Sequence, residues 1–283
     1  MKCEIEVEIS PSCNLRCESC NVQKRLHIPF RDKLIDDNLD YKIIEYVPSY
    51  CRLLFLGLGE PTLFKSQEKI SNILEKREDL TGFIQTNGTN YLIDSLKQMI
   101  LDGRLEIGLS YDLHHGLSYE NLGIQKDLVS SMSICVYDKK SLLLEDFGGL
   151  RWKFPNLQTI LVDPFIINDG KEFKNTFGDV EEVVLKIRED LPEINIYIQL
   201  FKEYLKSFNS IRKFYLDTTS NLIHLKDNWH YSPKDYLVNI EDQNSDDKIR
   251  ILTNGKVLRD LSKIGYSWEE LEGELVDIEN WFG

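Results

Sequence analysis

Residues 51–88, "CRLLFLGLGEPTLFKSQEKISNILEKREDLTGFIQTNG", combine two apolar runs with an amphipathic segment between them. The run over 51–59 is continuously apolar, which is typical of a strand buried on both faces. Residues 65–79 carry apolar side chains at helical spacing, and residues 80–88 are strand-like again. Parallel strands cannot be joined by a tight turn and need a crossover of this kind. The stretch therefore predicts a parallel β-α-β unit.

The same alternation continues on both sides of this unit. It amounts to about six or seven strand–helix units without an obvious break, which indicates an α/β chain built on a parallel sheet. The further strands are predicted over 4–10, 104–112, 130–138, 157–165 and 193–201, and the further helices over 36–47, 90–103, 139–150 and 178–190.

Composition limits the classes of function. The 283 residues are 42% hydrophobic, enough to build a full-sized core. The net charge of −13 argues against binding the phosphate backbone of nucleic acids, which requires clustered Lys and Arg. No apolar run reaches the ~20 residues that span a bilayer, and the first residues lack the features of a signal peptide. We therefore expect no membrane partner and a cytoplasmic location.

The cysteines fall into two groups, and neither resembles the disulfide framework of small secreted domains. Cys3, Cys51 and Cys135 lie alone among apolar or strand-like residues, and we expect each to be an inert thiol in the core. The other three form a compact motif in the loop after the first strand, at Cys13, Cys17 and Cys20.

This C-x3-C-x2-C spacing can direct three thiolates at one centre. A structural zinc site needs four ligands, so zinc would have to recruit another, such as His27. A [4Fe–4S] cluster held by three thiolates leaves one iron open to a further ligand, which implies a reaction at that iron. The spacing alone leaves both interpretations open.

The segment "CNLRCESC" (13–20) resembles the motif of radical S-adenosylmethionine (radical SAM) enzymes. The resemblance implies a partial parallel (β/α)6-type TIM barrel, with three cysteines on a [4Fe–4S] cluster and SAM on the fourth iron. It also implies an oxidoreductase that cleaves SAM to a 5′-deoxyadenosyl radical, which takes hydrogen from a substrate. An external electron donor such as flavodoxin or ferredoxin would supply the electron. Ser19 is a departure, since an aromatic residue is frequent at that place in the family.

A second match lies at the end of the second strand. Residues Gly57, Leu58, Gly59, Glu60 and Pro61 resemble the family's Gly-Gly-Glu-Pro motif in a G-x-G-E-P variant. Glycine permits close approach of a ligand, proline stiffens the turn, and a carboxylate or carbonyl oxygen can meet the ammonium group of SAM. Function in β/α barrels gathers at the carboxyl ends of strands, so we expect this turn to bind SAM.

The third and fourth strands also end in polar residues. Thr86 and Asn87 close the third, and Ser110 and Asp112 close the fourth, where the family places residues near the ribose and methionine of SAM. Asp112 can accept hydrogen bonds from sugar hydroxyls, but it can equally cap a helix. His114 and His115 follow, either as substrate or acid–base groups or as a solvent-exposed pair.

The resemblance weakens towards the C-terminus. We expect a radical SAM core over 1–204 and a C-terminal extension over 205–283 that packs on it. Asn254-Gly255 predicts a type I′ hairpin, and residues 267–283 predict a helix. No cysteine follows Cys135, so one cluster is expected, and a barrel that begins at residue 4 suggests no preceding peptide-recognition domain.

Three functions remain open on this sequence. The first is a radical SAM enzyme that modifies a peptide or a small molecule. The second is an activating enzyme that places a glycyl radical on a partner protein. The third is a zinc- or cluster-binding protein without turnover. Anaerobic reconstitution with iron and sulfide separates the third from the others, because a zinc protein stays colourless.

Overall fold

The computed structural model describes residues 3–15, 17, 36–56, 59–111, 122–167, 172–173, 175–201, 223–226, 229–232, 236–241, 249–252, 255–258 and 276–282. Contacts between residues divide the chain into two compact units. The first consists of Met1–Leu109, His114–Leu128 and Asn244–Gly283, and the second of Ser110–Leu113 and Val129–Gln243. The domain boundary predicted near residue 204 lies outside the described residues and stays a prediction.

The first unit alternates strands with helices along the chain. Its elements are β1 (Glu4–Val7), α1 (Leu39–Tyr46), β2 (Arg52–Phe55), α2 (Phe64–Lys76), β3 (Thr81–Thr86), α3 (Asp94–Leu101), β4 (Leu105–Tyr111), a 3-10 turn (Lys126–Leu128), β13 (Ile249–Ile251), β14 (Lys256–Leu258), β15 (Val276–Asp277) and α7 (Ile278–Phe282). The strands of this unit are ordered β4-β3-β2-β1-β13-β14-β15. Strands β1 to β4 are parallel, and β13 pairs in parallel with β1.

The elements of the second unit are β5 (Val129–Val136), α4 (Lys139–Leu143), α5 (Gly148–Lys153), β6 (Thr159–Pro164), the small pair β7 (Ile166–Ile167) and β8 (Glu172–Phe173), α6 (Phe177–Asp190), β9 (Asn195–Phe201), β10 (Ile223–Lys226), β11 (Trp229–Ser232) and β12 (Tyr236–Glu241). Its strand order is β5-β6-β9-β12-β11-β10. Strands β5, β6, β9 and β12 are parallel, and β11 runs antiparallel to both of its neighbours.

Alternate strand residues build the core of each unit. In β2 and β3 of the first unit, Leu53, Phe55 and Ile84 are fully buried. The opposite face of the same strands is more exposed and mixes apolar with polar side chains, and Arg52 there forms ion pairs with Glu4 of β1 and Glu106 of β4. Hydrophobic burial on one face fixes the register, because a shift of one residue would turn the buried apolar side chains to the more exposed face.

The α/β alternation predicted from the sequence is confirmed, with local exceptions. The single helix predicted over 139–150 is wrong, since α4 ends at Leu143 and α5 begins at Gly148. Between them Phe147 is buried, and its backbone N–H donates to the Asp190 carboxylate at 3.2 Å. The Gly148-Gly149 pair also weakens a continuous helix, because glycine has a low helix propensity. Strands β10 to β12 were not predicted.

The C-terminal elements correct two predictions. Val276 and Asp277 pair with β14 as strand β15, so the helix predicted over 267–283 is wrong at these residues, and it is observed over Ile278–Phe282. The hairpin of β13 and β14 is confirmed, but its turn is not type I′. Gly255 N–H donates to Leu252 O at 2.9 Å, and Gly255 itself has φ of +73°. This pattern is that of a three-residue loop in which glycine takes the left-handed position.

Two of the cysteines predicted to lie alone form a pair. Cys3 and Cys51 lie next to each other at the start of the neighbouring strands β1 and β2, where Arg52 N donates to Cys3 O at 2.7 Å. Burial, and then the neighbouring Cys3 thiol, raise the pKa of the Cys51 thiol to about 12. Cys51 is buried as predicted, but Cys3 and Cys135 are only half-buried, because they lie on the more exposed side of their strands.

Within the described ranges, none of the helices combines the length and the apolar character that crossing a bilayer requires.

Candidate active site

Three segments of the first unit meet at the carboxyl ends of β1, β2 and β3. They are the loop Ser10–Leu15, which contains Cys13, the turn Gly59–Leu63, and the turn Asn87–Asn90. These strands are parallel neighbours, so their carboxyl ends lie at one edge of the sheet. Polar residues that follow successive strands are therefore brought together, as the sequence predicts.

Gly59 allows the second strand end to touch the cysteine loop. A Cβ atom at this position would lie 2.2 Å from Ser10 O and 2.6 Å from Ser12 O. The next residue, Glu60, donates its backbone N–H to Ser12 O at 2.7 Å. The sequence suggested that this glycine makes room for a ligand, whereas in the structure it makes room for the backbone just before Cys13.

The carboxylate of Glu60 holds the second and third strand ends together. It is 3% exposed. Its Oε1 accepts from Thr62 N at 2.9 Å, from Thr62 Oγ1 at 2.5 Å and from Thr86 Oγ1 at 2.6 Å. Its Oε2 accepts from Asn87 N at 2.9 Å. A carboxylate has about four acceptor positions, so these four donors are enough to satisfy it within the protein.

Helix α2 holds the turn Gly59–Leu63 in place through the side chain of Gln67. The buried Gln67 side chain donates from Nε2 to Thr62 O at 2.6 Å and to Tyr91 O at 2.8 Å, and its Oε1 accepts from Ile93 N at 2.8 Å. Sequence reasoning missed both Gln67 and Thr62. The signal for Thr62 was its place two residues after Glu60, where a hydroxyl can bond to the preceding side chain.

The Cys13 sulfur lies beside the third strand end. It accepts from Leu15 N at 3.4 Å and from Asn87 Nδ2 at 3.8 Å. Asn14, directly after Cys13, donates to Thr89 Oγ1 at 2.7 Å and accepts from Asn87 Nδ2 at 3.0 Å. The cysteine loop is thus tied by hydrogen bonds to the turn that follows β3. From the sequence, Asn14 was noted only as part of the cysteine motif, and Thr89 was not singled out.

The other predicted site residues lie in different parts of the structure or outside the described residues. Pro61 is buried in the turn with Glu60. Ser110 is half-exposed near the end of β4 and belongs to the second unit, where its neighbour Tyr111 donates to Glu145 Oε1 at 2.8 Å. The remaining predicted residues lie outside those that the structure describes; they are Cys20, Gly57, Leu58, Asp112, His27, His114 and His115.

The described cysteines of the motif, Cys13 and Cys17, fit the ligands of an iron–sulfur cluster. Cys13 and Cys17 are half-buried and not in disulfides. Cys13 receives N–H donors of the kind that stabilise thiolate sulfur in such clusters. Among the described residues, which do not include Cys20, no group of three His, Cys, Asp or Glu side chains is placed to hold a metal ion.

Comparison with known proteins assigns this region to a family. Residues 7–111 match the family model described as Radical SAM superfamily. The matched range contains the cysteine motif, the Gly57–Pro61 segment and the ends of β3 and β4. Among curated proteins, none matches the chain.

Solved structures share the fold at low sequence identity. anSMEcpe with bound AdoMet matches with a TM-score of 0.52 and 14% identity, over 95% of this chain and 76% of that chain. SuiB of Streptococcus suis bound to the precursor peptide SuiA matches with a TM-score of 0.56 and 14% identity, over 100% of this chain and 65% of that chain. SuiB bound to S-adenosylmethionine matches with a TM-score of 0.54 and 13% identity, over 100% of this chain and 66% of that chain. This chain thus spans about two thirds of the length of SuiB.

These likenesses confirm the predicted fold class, a partial parallel β/α barrel. The family model covers the segment in which the three strand ends meet, and the structural matches extend the same fold along the chain. Within this chain, residues 7–111 carry the match to the Radical SAM superfamily.

Proposed function

We propose that this protein is a single-cluster radical SAM enzyme that abstracts hydrogen from a peptide or a small molecule. The observation that carries the proposal is the meeting of Cys13, Glu60 and Asn87 at one edge of the sheet, inside the range matched by the family model. This places a candidate iron ligand next to polar groups that can orient a second ligand. We place the enzyme in the cytoplasm, as its sequence suggests.

In this proposal Cys13, Cys17 and Cys20 hold a [4Fe–4S] cluster through their sulfur atoms. When bound, such a cluster supplies the electron that splits SAM into methionine and a 5′-deoxyadenosyl radical, which then takes hydrogen from the substrate. The chain contributes the arrangement around it. Ser12 and Glu60 fix the entry to the cysteine loop through a backbone hydrogen bond of 2.7 Å, so the first ligand is held in place before metal binds.

We propose that SAM lies against the ends of β2, β3 and β4, near the residues predicted from the sequence. Glu60 uses its carboxylate on Thr62, Thr86 and Asn87. The Glu60 carboxylate therefore holds the ends of β2 and β3 in place. In this proposal the ammonium group of SAM is bound by other oxygen atoms of the Gly57–Pro61 segment. Ser110 and Asp112 stay candidates for the ribose or the substrate.

The class of substrate is open between peptides and small molecules. SuiB, which shares this fold, is bound to a precursor peptide in its structure. A peptide is accordingly one class to test first, with an electron donor of the flavodoxin or ferredoxin type. A glycyl-radical partner protein is the alternative within the same chemistry.

Anaerobic reconstitution tests the proposal. The protein supplied with iron, sulfide, SAM and dithionite should turn brown and release 5′-deoxyadenosine. Cys13→Ala, Cys17→Ala and Cys20→Ala should each lose both properties, because a methyl group cannot ligate iron. Cys135→Ala is the matched control and should keep both. A colourless protein that binds zinc tightly, or a cluster that forms without cleaving SAM, would contradict the proposal.

A further inference from the structure

We propose that Asn87 is a positioning residue for the cluster, whose side-chain amide donates an N–H···S hydrogen bond to Cys13 and raises the reduction potential. The inference rests on the proposed function, since it concerns a sulfur that would bind iron. The sequence resemblance placed Asn87 at the SAM site, whereas its side chain in the structure faces the cysteine, with Nδ2 3.8 Å from Sγ.

The hydrogen-bond network fixes which end of the Asn87 amide faces the sulfur. The Oδ1 atom lies 3.0 Å from Thr89 N and 2.6 Å from Thr89 Oγ1. A backbone N–H can only donate, so the atom opposite Thr89 N must be the amide oxygen. The NH2 group is then left to face Cys13 Sγ and Asn14 Oδ1, where it can donate to both.

Asn14 closes the network into a ring. It donates from Nδ2 to Thr89 Oγ1 at 2.7 Å and accepts from Asn87 Nδ2 at 3.0 Å. The Thr89 hydroxyl thus accepts from Asn14 and donates to Asn87, which uses its single hydrogen once. Because Asn14 follows Cys13 directly in the chain, the ring fixes the amide relative to the ligand itself.

The backbone of Asn87 does a separate task. Its N–H donates to Glu60 Oε2 at 2.9 Å, so the turn stays anchored when the side chain is changed. The Leu15 backbone N–H, 3.4 Å from the same sulfur, also remains in any side-chain variant. The contribution of the Asn87 amide can therefore be isolated by substitution.

A donor to a cluster sulfur favours the reduced state. Reduction adds one electron to the cluster and makes its sulfur atoms more negative, so an N–H dipole directed at them stabilises the reduced form more than the oxidised form. Removal of the donor should lower the potential and make the electron harder to deliver. The electron comes from a low-potential reductant, dithionite in the test below.

The test measures the potential of the reconstituted cluster without SAM, by EPR at potentials set with dithionite and mediator dyes. Asn87→Leu should reduce the equilibrium constant for one-electron reduction by up to tenfold, a downward shift of up to about 59 mV. Asn14→Leu should shift it in the same direction by less. Asn72→Leu is the matched control, because the Asn72 amide donates to the Asp40 carboxylate and takes no part in this network, and it should leave the potential unchanged.

An unchanged potential in Asn87→Leu at wild-type iron content would overturn the inference. If that variant fails to hold a cluster, wild-type protein labelled with 15N in asparagine side chains decides instead. Pulsed EPR of its reduced cluster should show coupling to an amide nitrogen, and the absence of such coupling would overturn the inference. If the wild-type chain forms no cluster at all, the proposed function fails and this inference fails with it.

Discussion

At the scale of single residues, polar side chains of the candidate site form hydrogen bonds to other protein groups and hold the strand ends together. Glu60 is buried, yet its carboxylate is satisfied by Thr62, Thr86 and Asn87 and has no cation among these partners. The sequence predicts that this residue belongs to the site, because it lies at a strand end in the segment that resembles the Gly-Gly-Glu-Pro motif. It could not show that the carboxylate bonds to protein donors, since Thr86 and Asn87 are 26 and 27 residues away along the chain.

Glu60→Gln should destabilise the protein by about 1–3 kcal/mol, because the amide NH2 would face N–H and O–H donors and leave buried groups unpaired. Urea unfolding measures the change. Glu68→Gln on the exposed side of α2 is the control and should have little effect. Equal stability of the two variants would mean that the Glu60 hydrogen bonds contribute nothing.

Gly59→Ala should also destabilise the protein, by about 1–3 kcal/mol, since its methyl group would collide with the backbone at Ser10 and Ser12. The Cβ position has no flexible side chain opposite it that could move away. Gly178→Ala is the control, because its nearest atom is Thr176 Oγ1 at 3.7 Å and the residue is helical. That control should keep or raise the melting temperature, whereas Gly59→Ala should lower it.

The Cys51 thiol should resist alkylation in the folded protein. Its pKa is raised to about 12, mainly by burial, so the reactive thiolate is scarce until the pH approaches that value. Mass spectrometry after iodoacetamide treatment at pH 8 should find Cys51 unmodified while the half-buried Cys135 reacts. Rapid modification of Cys51 under native conditions would contradict the assigned burial.

At the scale of elements, Arg77 joins the end of α1 to the end of α2. Its Nη1 donates to Ile44 O and Val47 O, both at 2.9 Å, and its Nε and Nη2 donate to the two oxygens of Asp79 at 2.8 and 2.7 Å. The guanidinium satisfies carbonyls that a helix end leaves without partners. Asp79 holds it in this orientation, and the two pair as a planar fork.

The Arg77 pairing makes part of the stability dependent on pH. The hydrogen bonds from Arg77 hold the pKa of Asp79 well below its usual range. A depressed carboxyl pKa contributes stability that is present above the unfolded value of about 3.9 and is lost as the pH falls towards the folded value. Asp79→Asn should therefore be less stable than the wild type at pH 7, by about 1–3 kcal/mol, and the gap should narrow below about pH 4.

Urea unfolding of both proteins at pH 7, 5 and 3 gives the comparison. The half-buried position of the pair favours a measurable effect, since the two side chains are 15% and 26% exposed. Asp94→Asn, at a fully exposed carboxylate, is the control. A gap that stays constant across this pH range would show that the Asp79 charge contributes no stability.

The elements themselves were predictable where burial is regular. The strands β1 to β6 and the helices α1 to α3 follow apolar spacing, since one face of each is buried against its neighbours. The interruption between α4 and α5 was not predictable, because the Asp190 carboxylate that binds Phe147 N comes from a helix 43 residues away in sequence. Val276 was predicted to be helical because the local sequence does not reveal its pairing with Val257 of β14.

At the scale of the whole molecule, the family match and the fold agree with the interpretation of the cysteine spacing. That spacing predicts three cysteine ligands, and the parallel topology brings the ends of β2 and β3 to the loop that contains Cys13. Residues 244–283 group with the first unit, and Ile249 pairs there with Ile5. Such a long-range pairing could not be predicted from the local sequence. The choice of substrate depends on side chains that no motif specifies.

The central claim is that three cysteines hold a cluster with one iron open to SAM, and Mössbauer spectroscopy of the protein reconstituted with 57Fe tests it most directly. The account predicts the spectrum of a [4Fe–4S] cluster in which addition of SAM changes the signal of one iron and leaves the other three in place. Cys17→Ala should abolish the cluster signal, and Cys51→Ala should preserve it. A spectrum that SAM leaves unchanged, or a chain that takes up zinc in preference to iron, would contradict the account.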